Sequence, residues 1–584
     1  MYNTWEQGQG AEFYCITKAG SCKQICVDIN VESDASTVTL NADKFQLRDC
    51  KKSFPNVTEL IIEKRVMSID IPNSLFPNIK SVTSISSLFC SGEMLVKKDY
   101  FYGTLLNSFY KTPNSIIDMH RIGHIANYAF EGCLATKMIN ISNVTQISAT
   151  AFAGSAFMSL PFENGIKLIG TVLIDVDENA DEIILPQSPC ITSISENVNP
   201  RKINKMRVKC FDSLAQFKTF SKTIILDCKK INLTKLMNTF GGYAGATSIE
   251  NIISEMPQFQ TMDGILYSSD KKALIFCPRK RGGDIIIPEG VTRIRERAFE
   301  CSQIKSVKLP DSLVSIETKA FSRTCLEKID FGNGLTQIGG NGQKGVFSNC
   351  YNLKEVEIPS QVELIGHQAF MSCEKLEKVK LNEGLKEIKT YAFHGDLSLH
   401  EITLPDSIKE IGAEAFFANN AAMKRIYTNV LPNGLVRSVI RSSCAYGITP
   451  LEIIYKGRKI ILPRGMNPYR ISDCCYHFNM NQLSDTFVNS LFCYASDSQK
   501  RVVTAYTIYK NTKDEEAKEE LKKDYAMEVM LEFSEKRFID YLSLDFVRPD
   551  AKKMLDILGR KEWFVAKAYM MEKAKNYAKP DFAV

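Results

Sequence analysis

The chain has 584 residues, of which 44% are hydrophobic and 24% are charged, with a formal net charge of +6. This composition is typical of a folded protein, and so mild a positive charge argues against nucleic acid as a partner, because nucleic-acid-binding domains usually carry a concentrated basic face. The first residues contain no basic segment followed by an apolar one, and no run of about 18 apolar residues occurs, so we expect neither an export signal nor a transmembrane segment.

The first part of the chain contains weak signs of repetition. FPNVTELII from Phe54 is followed 22 residues later by FPNIKSVTS from Phe76. HIANYAFEGC from His124 is likewise followed 22 residues later by QISATAFAGS from Gln146. Recurrence at a fixed spacing predicts that these segments are faint copies of one structural unit.

The clearest repetition involves six phenylalanines at spacings of 22, 26, 23, 23 and 23 residues. They are Phe299, Phe321, Phe347, Phe370, Phe393 and Phe416. A period in the twenties predicts a solenoid, in which each short unit buries its apolar edge against the next unit. We therefore expect function on an extended surface rather than in a closed pocket.

Each unit contains two groups of apolar residues separated by a turn. The first group predicts a short strand with apolar residues in period-2 alternation. Its members include Leu353, Leu376, Leu399, Val356, Val379, Ile402, Ile358, Leu381 and Leu404. Proline ends three of these strands, at Pro310, Pro359 and Pro405, because it has no amide hydrogen for a ladder. The second group, on the returning limb, contains Ile294, Ile316, Ile338, Ile365, Ile388 and Ile411.

Beyond about residue 480 the pattern changes to amphipathic stretches with a period near 3.6. TKDEEAKEELKKDYAMEVMLEF, from Thr512, is predicted to form one helix that begins at the threonine and its following acids. SEKRFIDYL from Ser534, PDAKKMLDILG from Pro549 and KEWFVAKAYMMEKAKNYA from Lys561 predict three more helices. This region is larger than a cap requires, so it is also a hypothetical second interaction surface.

The pattern LxxVxLPxx(V/L)xxIxxxAFxxC resembles the BspA-like class of bacterial leucine-rich repeats, also called the Treponema pallidum class. The resemblance implies a leucine-rich-repeat solenoid with a curved parallel β-sheet. Together with the helices predicted beyond residue 480, this gives an α+β repeat protein with a C-terminal α-helical domain. A β-hairpin often introduces a run of such repeats, and residues 263–278 look like that hairpin, with a polar turn at 268–271.

The resemblance implies six regions along the chain. They are an N-terminal β-rich cap at 1–52, degenerate repeats at 53–189, a divergent connecting segment at 190–260, regular repeats with their hairpin at 261–430, a C-terminal repeat cap at 431–480 and the α-helical domain at 481–584.

In a leucine-rich repeat the residues beside the inward strand positions project from the sheet face, where they form two columns. The first column is Ser306, Lys328, Glu355, Lys378, Glu401 and Arg425, and the second is Lys308, Asp330, Glu357, Lys380, Thr403 and Tyr427. Since adjacent strands lie about 4.8 Å apart, opposite charges of the first column can pair along the stack and only stabilise the sheet. The alternative is partner recognition, for which Arg425 and Tyr427 are the best candidates.

The sequence contains no pattern that indicates catalysis or a metal site. His120 and His124 have helical spacing but precede a repeat phenylalanine, where strand and turn are expected. Cys15, Cys22 and Cys26 lack the paired CxxC spacing of structural zinc. We therefore predict no catalytic residues, no metal and no cofactor.

The 18 cysteines fit a reducing compartment better than a disulfide framework. Cys133, Cys350 and Cys373 each lie three residues after a repeat phenylalanine, which predicts a position for a small buried side chain. Strand spacing alone does not exclude a bridge between Cys350 and Cys373. The missing export signal favours free thiols and a cytoplasmic location.

These observations predict a non-enzymatic scaffold in a bacterial cell that binds a protein partner through the sheet face, with the helical tail as a second surface. Two alternatives stay open. One is a cell-surface adhesin exported without a recognisable signal. The other is an enzyme with its site where the repeats meet the helices.

Overall fold

A computed structural model describes residues 2–17, 23–241, 248–340, 342–418, 422–440 and 447–577. The chain divides into two compact units, Met1–Leu266 and Tyr267–Val584. Each unit is built mainly from short parallel strands in successive coils, and the second unit ends in helices.

The first unit contains many short strands and little helix. Its strands are β1 (Tyr2–Gly8), β2 (Ala11–Thr17), β3 (Gln24–Val31), β4 (Thr37–Leu40), β5 (Lys44–Gln46), β6 (Glu59–Ile62), β7 (Ser68–Asp70), β8 (Ser81–Ser84), β9 (Leu95–Lys97), β10 (Gly103–Asn107), β11 (Ile116–Asp118), β12 (Ile122–Ile125), β13 (Lys137–Ile139), β14 (Gln146–Ile147), β15 (Ile166–Ile169), β16 (Val172–Val176), β17 (Glu182–Leu185), β18 (Ser193–Ile194), β19 (Lys205–Val208), β20 (Thr223–Leu226), β21 (Asn251–Ser254) and β22 (Phe259–Met262). The helices are α1 (Phe211–Leu214) and α2 (Leu233–Gly241), and 3-10 turns lie at Ile141–Asn143, Ala156–Ser159 and Pro200–Lys202.

Strand pairing in the first unit changes from antiparallel to parallel. β1, β2 and β3 form antiparallel pairs, and β3 then pairs in parallel with β5. Further along, β17, β19, β20 and β21 pair in parallel without a register shift. Three of these strands, β19 to β21, therefore lie within 190–260, where the sequence predicts a divergent connecting segment.

The remaining strands continue the same arrangement. They are β23 (Ile265–Ser268), β24 (Ala273–Phe276), β25 (Gly282–Ile286), β26 (Arg293–Ile294), β27 (Gln303–Lys308), β28 (Ser315–Ile316), β29 (Lys328–Asp330), β30 (Gln337–Ile338), β31 (Glu355–Ile358), β32 (Leu364–Ile365), β33 (Lys378–Leu381), β34 (Glu387–Ile388), β35 (Glu401–Thr403), β36 (Glu410–Ile411), β37 (Arg425–Thr428), β38 (Leu451–Tyr455) and β39 (Arg458–Leu462). β23 and β24 fall within the predicted hairpin, and the Lys271 amide donates to the Ser268 carbonyl, at 2.9 Å, in the turn between them.

Each coil of the second unit contributes one longer strand and one shorter strand. The longer strands form the series β25–β27–β29, β31–β33 and β35–β37–β38–β39, and the shorter ones form β30–β32–β34–β36. The two limbs are the two apolar groups of the sequence pattern. The prediction of a parallel solenoid followed by helices is confirmed.

The repeat phenylalanines form a continuous stack inside the second unit. All six are at most 3% exposed. Consecutive ring centroids lie 4.6, 5.0, 5.4, 5.3 and 5.6 Å apart, and the ring planes differ by 5° to 12°. In the first unit Phe130 and Phe152 stack in the same way, at 4.9 Å. This faint pair thus has the same interior as the clear repeats, whereas the rings of the other faint pair, Phe54 and Phe76, are tilted by 35° at 6.0 Å.

The turn that carries each phenylalanine has its own ladder of backbone hydrogen bonds. The Phe347 amide donates to the Ala369 carbonyl at 2.7 Å, and the Phe370 amide donates to the Ala392 carbonyl at 2.8 Å. Two residues before the phenylalanine, the backbone has positive φ, as at Gln368 (φ 57°). Non-glycine residues adopt this conformation at a cost of about 1 kcal/mol, so the ladder and the stack hold it in place.

The helices are α3 (Leu435–Val439), α4 (Pro468–Asn479), α5 (Asp485–Asn489), α6 (Ser498–Thr512), α7 (Glu515–Leu521), α8 (Asp524–Leu531), α9 (Glu535–Leu542), α10 (Ala551–Arg560) and α11 (Phe564–Tyr577), with a 3-10 turn at Ser490–Tyr494. Ser534 and Asp550 cap α9 and α10 through their side chains, close to the predicted starts.

The prediction of one long helix from Thr512 is wrong. α7 begins after Asp514, whose side chain accepts a hydrogen bond from the Ala517 amide, and it ends at Leu521. The hydroxyl of buried Tyr541 donates to the Leu521 carbonyl at 2.7 Å and so satisfies the end of α7. The chain then turns into α8, because Leu521 and Met530 both pack into one apolar cluster that a single straight helix would not bring together.

A second buried column lies three residues after the phenylalanines. It consists of Ser302, Thr324, Cys350, Cys373 and Asp396. The prediction that Cys350 and Cys373 occupy such a position agrees with their complete burial, whereas the nearby Cys325 is exposed. Asp396 places a carboxyl group where the preceding coils have thiols. Burial raises its pKa well above the usual range, and Oδ2 has no hydrogen-bond partner in the described residues.

We predict that Phe370→Ala lowers the free energy of unfolding by about 3 to 5 kcal/mol, because it removes a ring stacked on both sides and leaves a cavity. Tyr351→Ala removes an aromatic ring that is 45% exposed and serves as the control. Urea denaturation of both variants measures the effect. Equal losses in the two variants would mean that the stack does not determine the stability of the coils.

We predict that Asp396→Cys stabilises the protein by about 1 to 3 kcal/mol at neutral pH, because it removes the buried oxygen Oδ2, which has no hydrogen-bond partner among the described residues. The thiol of the preceding coils can still accept from the Cys373 amide, which in the wild type donates to Asp396 Oδ1 at 2.7 Å. The raised pKa of Asp396 means that its folded form keeps a proton which the unfolded form loses, so wild-type stability falls as pH rises above about 4. Urea midpoints measured between pH 4 and neutrality should show this slope in the wild type and in the exposed control Glu374→Cys, and a smaller slope in Asp396→Cys.

Candidate binding face

The longer strands of the second unit present alternate residues to the interior and to solvent. On β31, Val356 and Ile358 are buried, while Glu355 and Glu357 are exposed. The same alternation places both predicted columns on one face of the strands. Ser306 and Tyr427 are half-buried, and the other ten residues of the two columns are exposed.

Strand register brings members of the columns side by side. Glu355 lies opposite Lys378 and Glu357 opposite Lys380. The same parallel register pairs Ser306 with Lys328, Lys308 with Asp330, Glu401 with Arg425 and Thr403 with Tyr427. Opposite charges therefore meet at several neighbouring positions, as the sequence predicts.

The charges of this face are only partly neutralised by one another. Lys380 Nζ lies 2.5 Å from Glu357, and Arg425 lies 3.7 Å from Glu401. Within the described part of the chain, Lys328, Glu355 and Lys378 make no ion pair shorter than 4 Å. A continuous ladder along the first column, the purely structural alternative, is therefore interrupted over its central steps.

Arg425 forms ion pairs with two glutamates, which is more than any other described residue of the two columns. Its guanidinium lies 3.1 Å from Glu452 and 3.7 Å from Glu401, and the Glu452 carboxylate raises the pKa of Arg425 further. Lys459 contacts the other oxygen of Glu452 at 3.3 Å. Glu452 lies on β38, within the region predicted to be a cap, and is therefore not a member of the two predicted columns. The alternating LEIIY segment is the signal that could have identified this strand.

Two concave depressions lie on this face. One, of about 850 Å³, is lined by His400, Glu401, Thr403, Arg425 and Tyr427 among others. The other, of about 620 Å³, is lined by residues of both columns, namely Lys328, Asp330, Glu355, Glu357, Lys378 and Lys380. Ten of the twelve predicted residues thus line depressions of the sheet face, and Ser306 and Lys308 lie on the neighbouring strand β27.

The remaining predicted chemistry-bearing residues have structural surroundings. His124 lies on β12, where Nε2 contacts the Ser148 hydroxyl at 3.2 Å, and burial lowers the pKa of its ring. Cys15 and Cys26 are cross-strand neighbours on β2 and β3, while Cys22 lies outside the described residues. Across the described ranges, no group of three or more His, Cys, Asp or Glu residues could hold a metal ion.

The repeats meet the helices through an apolar contact. Ile461 of β39 belongs to the same buried cluster as Phe492 and Val502 of the helical region. Arg458 of β39 also pairs with Asp485 at 2.5 Å. Among the helices that the structure describes, none is long and apolar enough to cross a membrane.

Comparison with known proteins identifies the repeats. The model of the BspA type leucine-rich repeat region matches residues 50–171, 95–232, 275–342 and 341–454. A comparison with curated proteins finds no match.

Solved structures are similar to this chain at low sequence identity. A leucine-rich cell surface protein from Faecalibacterium prausnitzii is 20% identical, covering 73% of this chain and 94% of that one, with a TM-score of 0.28. A leucine-rich repeat protein from Eubacterium ventriosum is 16% identical over 66% and 90%, with a TM-score of 0.29. The pneumococcal vaccine antigen PcpA is 15% identical over 73% and 93%, with a TM-score of 0.24.

The matched segments extend over more than half of the chain, in both units, and they agree with the stacked coils and the phenylalanine column described above. The chain belongs to the BspA-type leucine-rich repeat family.

Proposed function

We propose that the protein is a non-enzymatic scaffold that binds a protein partner through the sheet face of its second unit. The observation that carries this proposal is the interrupted charge ladder. Exposed acidic and basic side chains are held in register beside two depressions. In the middle of the first column, the described residues Lys328, Glu355 and Lys378 make no ion pairs with one another.

The centre of the site is proposed at Arg425 and Tyr427. Arginine and tyrosine are enriched among the residues that contribute most to protein interfaces. Arg425 is held between Glu401 and Glu452, so its guanidinium is positioned before a partner arrives. The surrounding charges favour a polar partner whose association is steered electrostatically and weakened by salt.

We predict that Arg425→Glu/Tyr427→Ala abolishes the capture of specific partners by the immobilised protein. The change reverses one charge and removes one aromatic ring at the proposed centre. Affinity capture followed by mass spectrometry should show partners with the wild type that are lost with the variant, and capture should weaken as salt is raised.

The matched control is Arg293→Glu/Tyr351→Ala, which makes the same chemical change away from the two columns. Arg293 lies on the short strand β26, and Tyr351 is an exposed turn residue. This control should retain the wild-type partners. Identical partner sets for wild type and Arg425→Glu/Tyr427→Ala would refute the site.

We further propose that the protein works in a reducing cytoplasm. The structure offers a measurable criterion, because in three pairs of neighbouring thiols each member shifts the pKa of the other. These pairs are Cys15 with Cys26, Cys190 with Cys210, and Cys350 with Cys373. Neighbouring thiols are the ones that an oxidising compartment would pair as disulfides.

We predict that protein from its native source, unfolded under thiol-free conditions, contains all 18 cysteines as free thiols. Titration with a chromogenic disulfide gives the count, and a reduced sample is the control. Six fewer thiols, with mapped bridges within the three pairs, would favour the cell-surface alternative instead.

A further inference from the structure

A hairpin of the first unit carries three consecutive aromatic residues into solvent. Residues 98–102 join β9 to β10, and the side chains at their tip are Tyr100, Phe101 and Tyr102. These residues are 103%, 91% and 45% exposed. A soluble surface rarely carries adjacent large apolar side chains without a binding role.

The base of the hairpin is fixed in the core, so the tip projects from a packed support. Val96 and Leu105 are paired across the two strands and are buried. The Thr104 hydroxyl donates to Asp99 Oδ2 at 2.8 Å, which closes the turn. Tyr102 packs so close to Gly123 that a Cβ at this glycine would lie 2.7 Å from the tyrosine Cβ.

Basic residues surround the aromatic tip. Lys97 and Lys98 precede it, and the Gly103 amide at the end of the turn donates to the Arg121 carbonyl at 2.6 Å, which places Arg121 beside the base. Lys98 and Arg121 are exposed. The only acidic residue of the turn, Asp99, is the acceptor of the Thr104 bond. The charged residues next to the tip, namely Lys97, Lys98, Asp99 and Arg121, therefore have an excess of positive charge.

We propose that this hairpin tip inserts into the interfacial region of an anionic lipid membrane. Tyr100 and Phe101 would lie at the level where aromatic side chains concentrate in membrane proteins, while Lys97, Lys98 and Arg121 contact lipid phosphates. The inference concerns the first unit and does not depend on the proposed protein-binding face.

The exposed area favours a membrane over a protein as the occupant. Three aromatic side chains, two of them fully exposed, offer on the order of 500 Å² of surface. A stable protein interface needs about 800 Å² from each partner. Insertion into a bilayer, by contrast, requires no minimum interface area. The basic residues next to the tip are also complementary to the negative surface of anionic lipids.

The test is flotation of the full chain with lipid vesicles. Wild type should float with phosphatidylcholine vesicles that contain phosphatidylglycerol and much less with pure phosphatidylcholine. Tyr100→Ser/Phe101→Ser should lower the partition constant at least about tenfold, and Lys98→Gln should lower it about fivefold on anionic vesicles only.

Phe564→Ser/Val565→Ser is the matched control, since it removes two exposed apolar side chains from α11, which are 70% and 65% exposed. It should float as the wild type does, and so should Arg425→Glu/Tyr427→Ala, which affects only the proposed protein-binding face. Circular dichroism of Tyr100→Ser/Phe101→Ser, Lys98→Gln and Phe564→Ser/Val565→Ser should show wild-type melting, because the substituted side chains are exposed.

A second measurement places the tip directly. In Phe101→Trp, subtracting the wild-type spectrum gives the fluorescence of the new tryptophan. This fluorescence should shift to shorter wavelength on anionic vesicles and be quenched by brominated lipid. The proposal is overturned if the wild type stays with the aqueous fraction, as a protein-binding hairpin would. It is equally overturned if Tyr100→Ser/Phe101→Ser floats like the wild type, or if the tryptophan emission does not shift.

Discussion

The fold depends on the contact between each coil and the next. A coil of about 23 residues is too short to enclose a core of its own, so its phenylalanine, isoleucine and strand residues are buried only when a neighbour covers them. The phenylalanine stack combines this burial with the ring-to-ring contact of offset aromatic pairs. The backbone ladder beside it, from Phe347 to Ala369 and from Phe370 to Ala392, fixes the same spacing by hydrogen bonds. Apolar packing and hydrogen bonding therefore set the same spacing between neighbouring coils.

That spacing also determines which side chains lie next to each other on the outer face. Since side chains alternate across a strand, burial of Val356 and Ile358 requires Glu355 and Glu357 to face solvent. Parallel register then aligns these side chains with those of the next coil. The fold does not require the charges of a column to form ion pairs, because exposed ion pairs contribute little to stability. Charges such as Lys328 and Lys378 can remain available to a partner without a large cost to the fold.

The parts of this structure that follow the repeat could be predicted from sequence, and the parts that interrupt it could not. The six phenylalanines and the paired isoleucines are set by spacing, and the two surface columns follow from what the resemblance to leucine-rich repeats implies. The left-handed backbone two residues before the phenylalanine, as at Gln368, recurs with the repeat but has no signal in residue type, because most of these positions are not glycine. The split between α7 and α8 depends on the hydroxyl of Tyr541, which lies 20 residues along the chain from its acceptor at Leu521. Glu452 was missed because it follows Arg425 by 27 residues and so lies outside the spacing of about 23.

The ends of the stacked strands show how such a protein limits its own growth. A parallel series leaves unpaired backbone groups at its last strand, which could accept another chain. In the first unit the chain begins with the antiparallel strands β1, β2 and β3 before parallel pairing starts at β5. In the second unit β38 pairs in parallel with β37, but β39 returns antiparallel and turns Ile461 into the helical cluster. A reversal of strand direction thus breaks the repeat at each of these places. At β39 the edge of the second unit's sheet therefore packs against helices through Ile461 and, within the described ranges, not against another parallel strand.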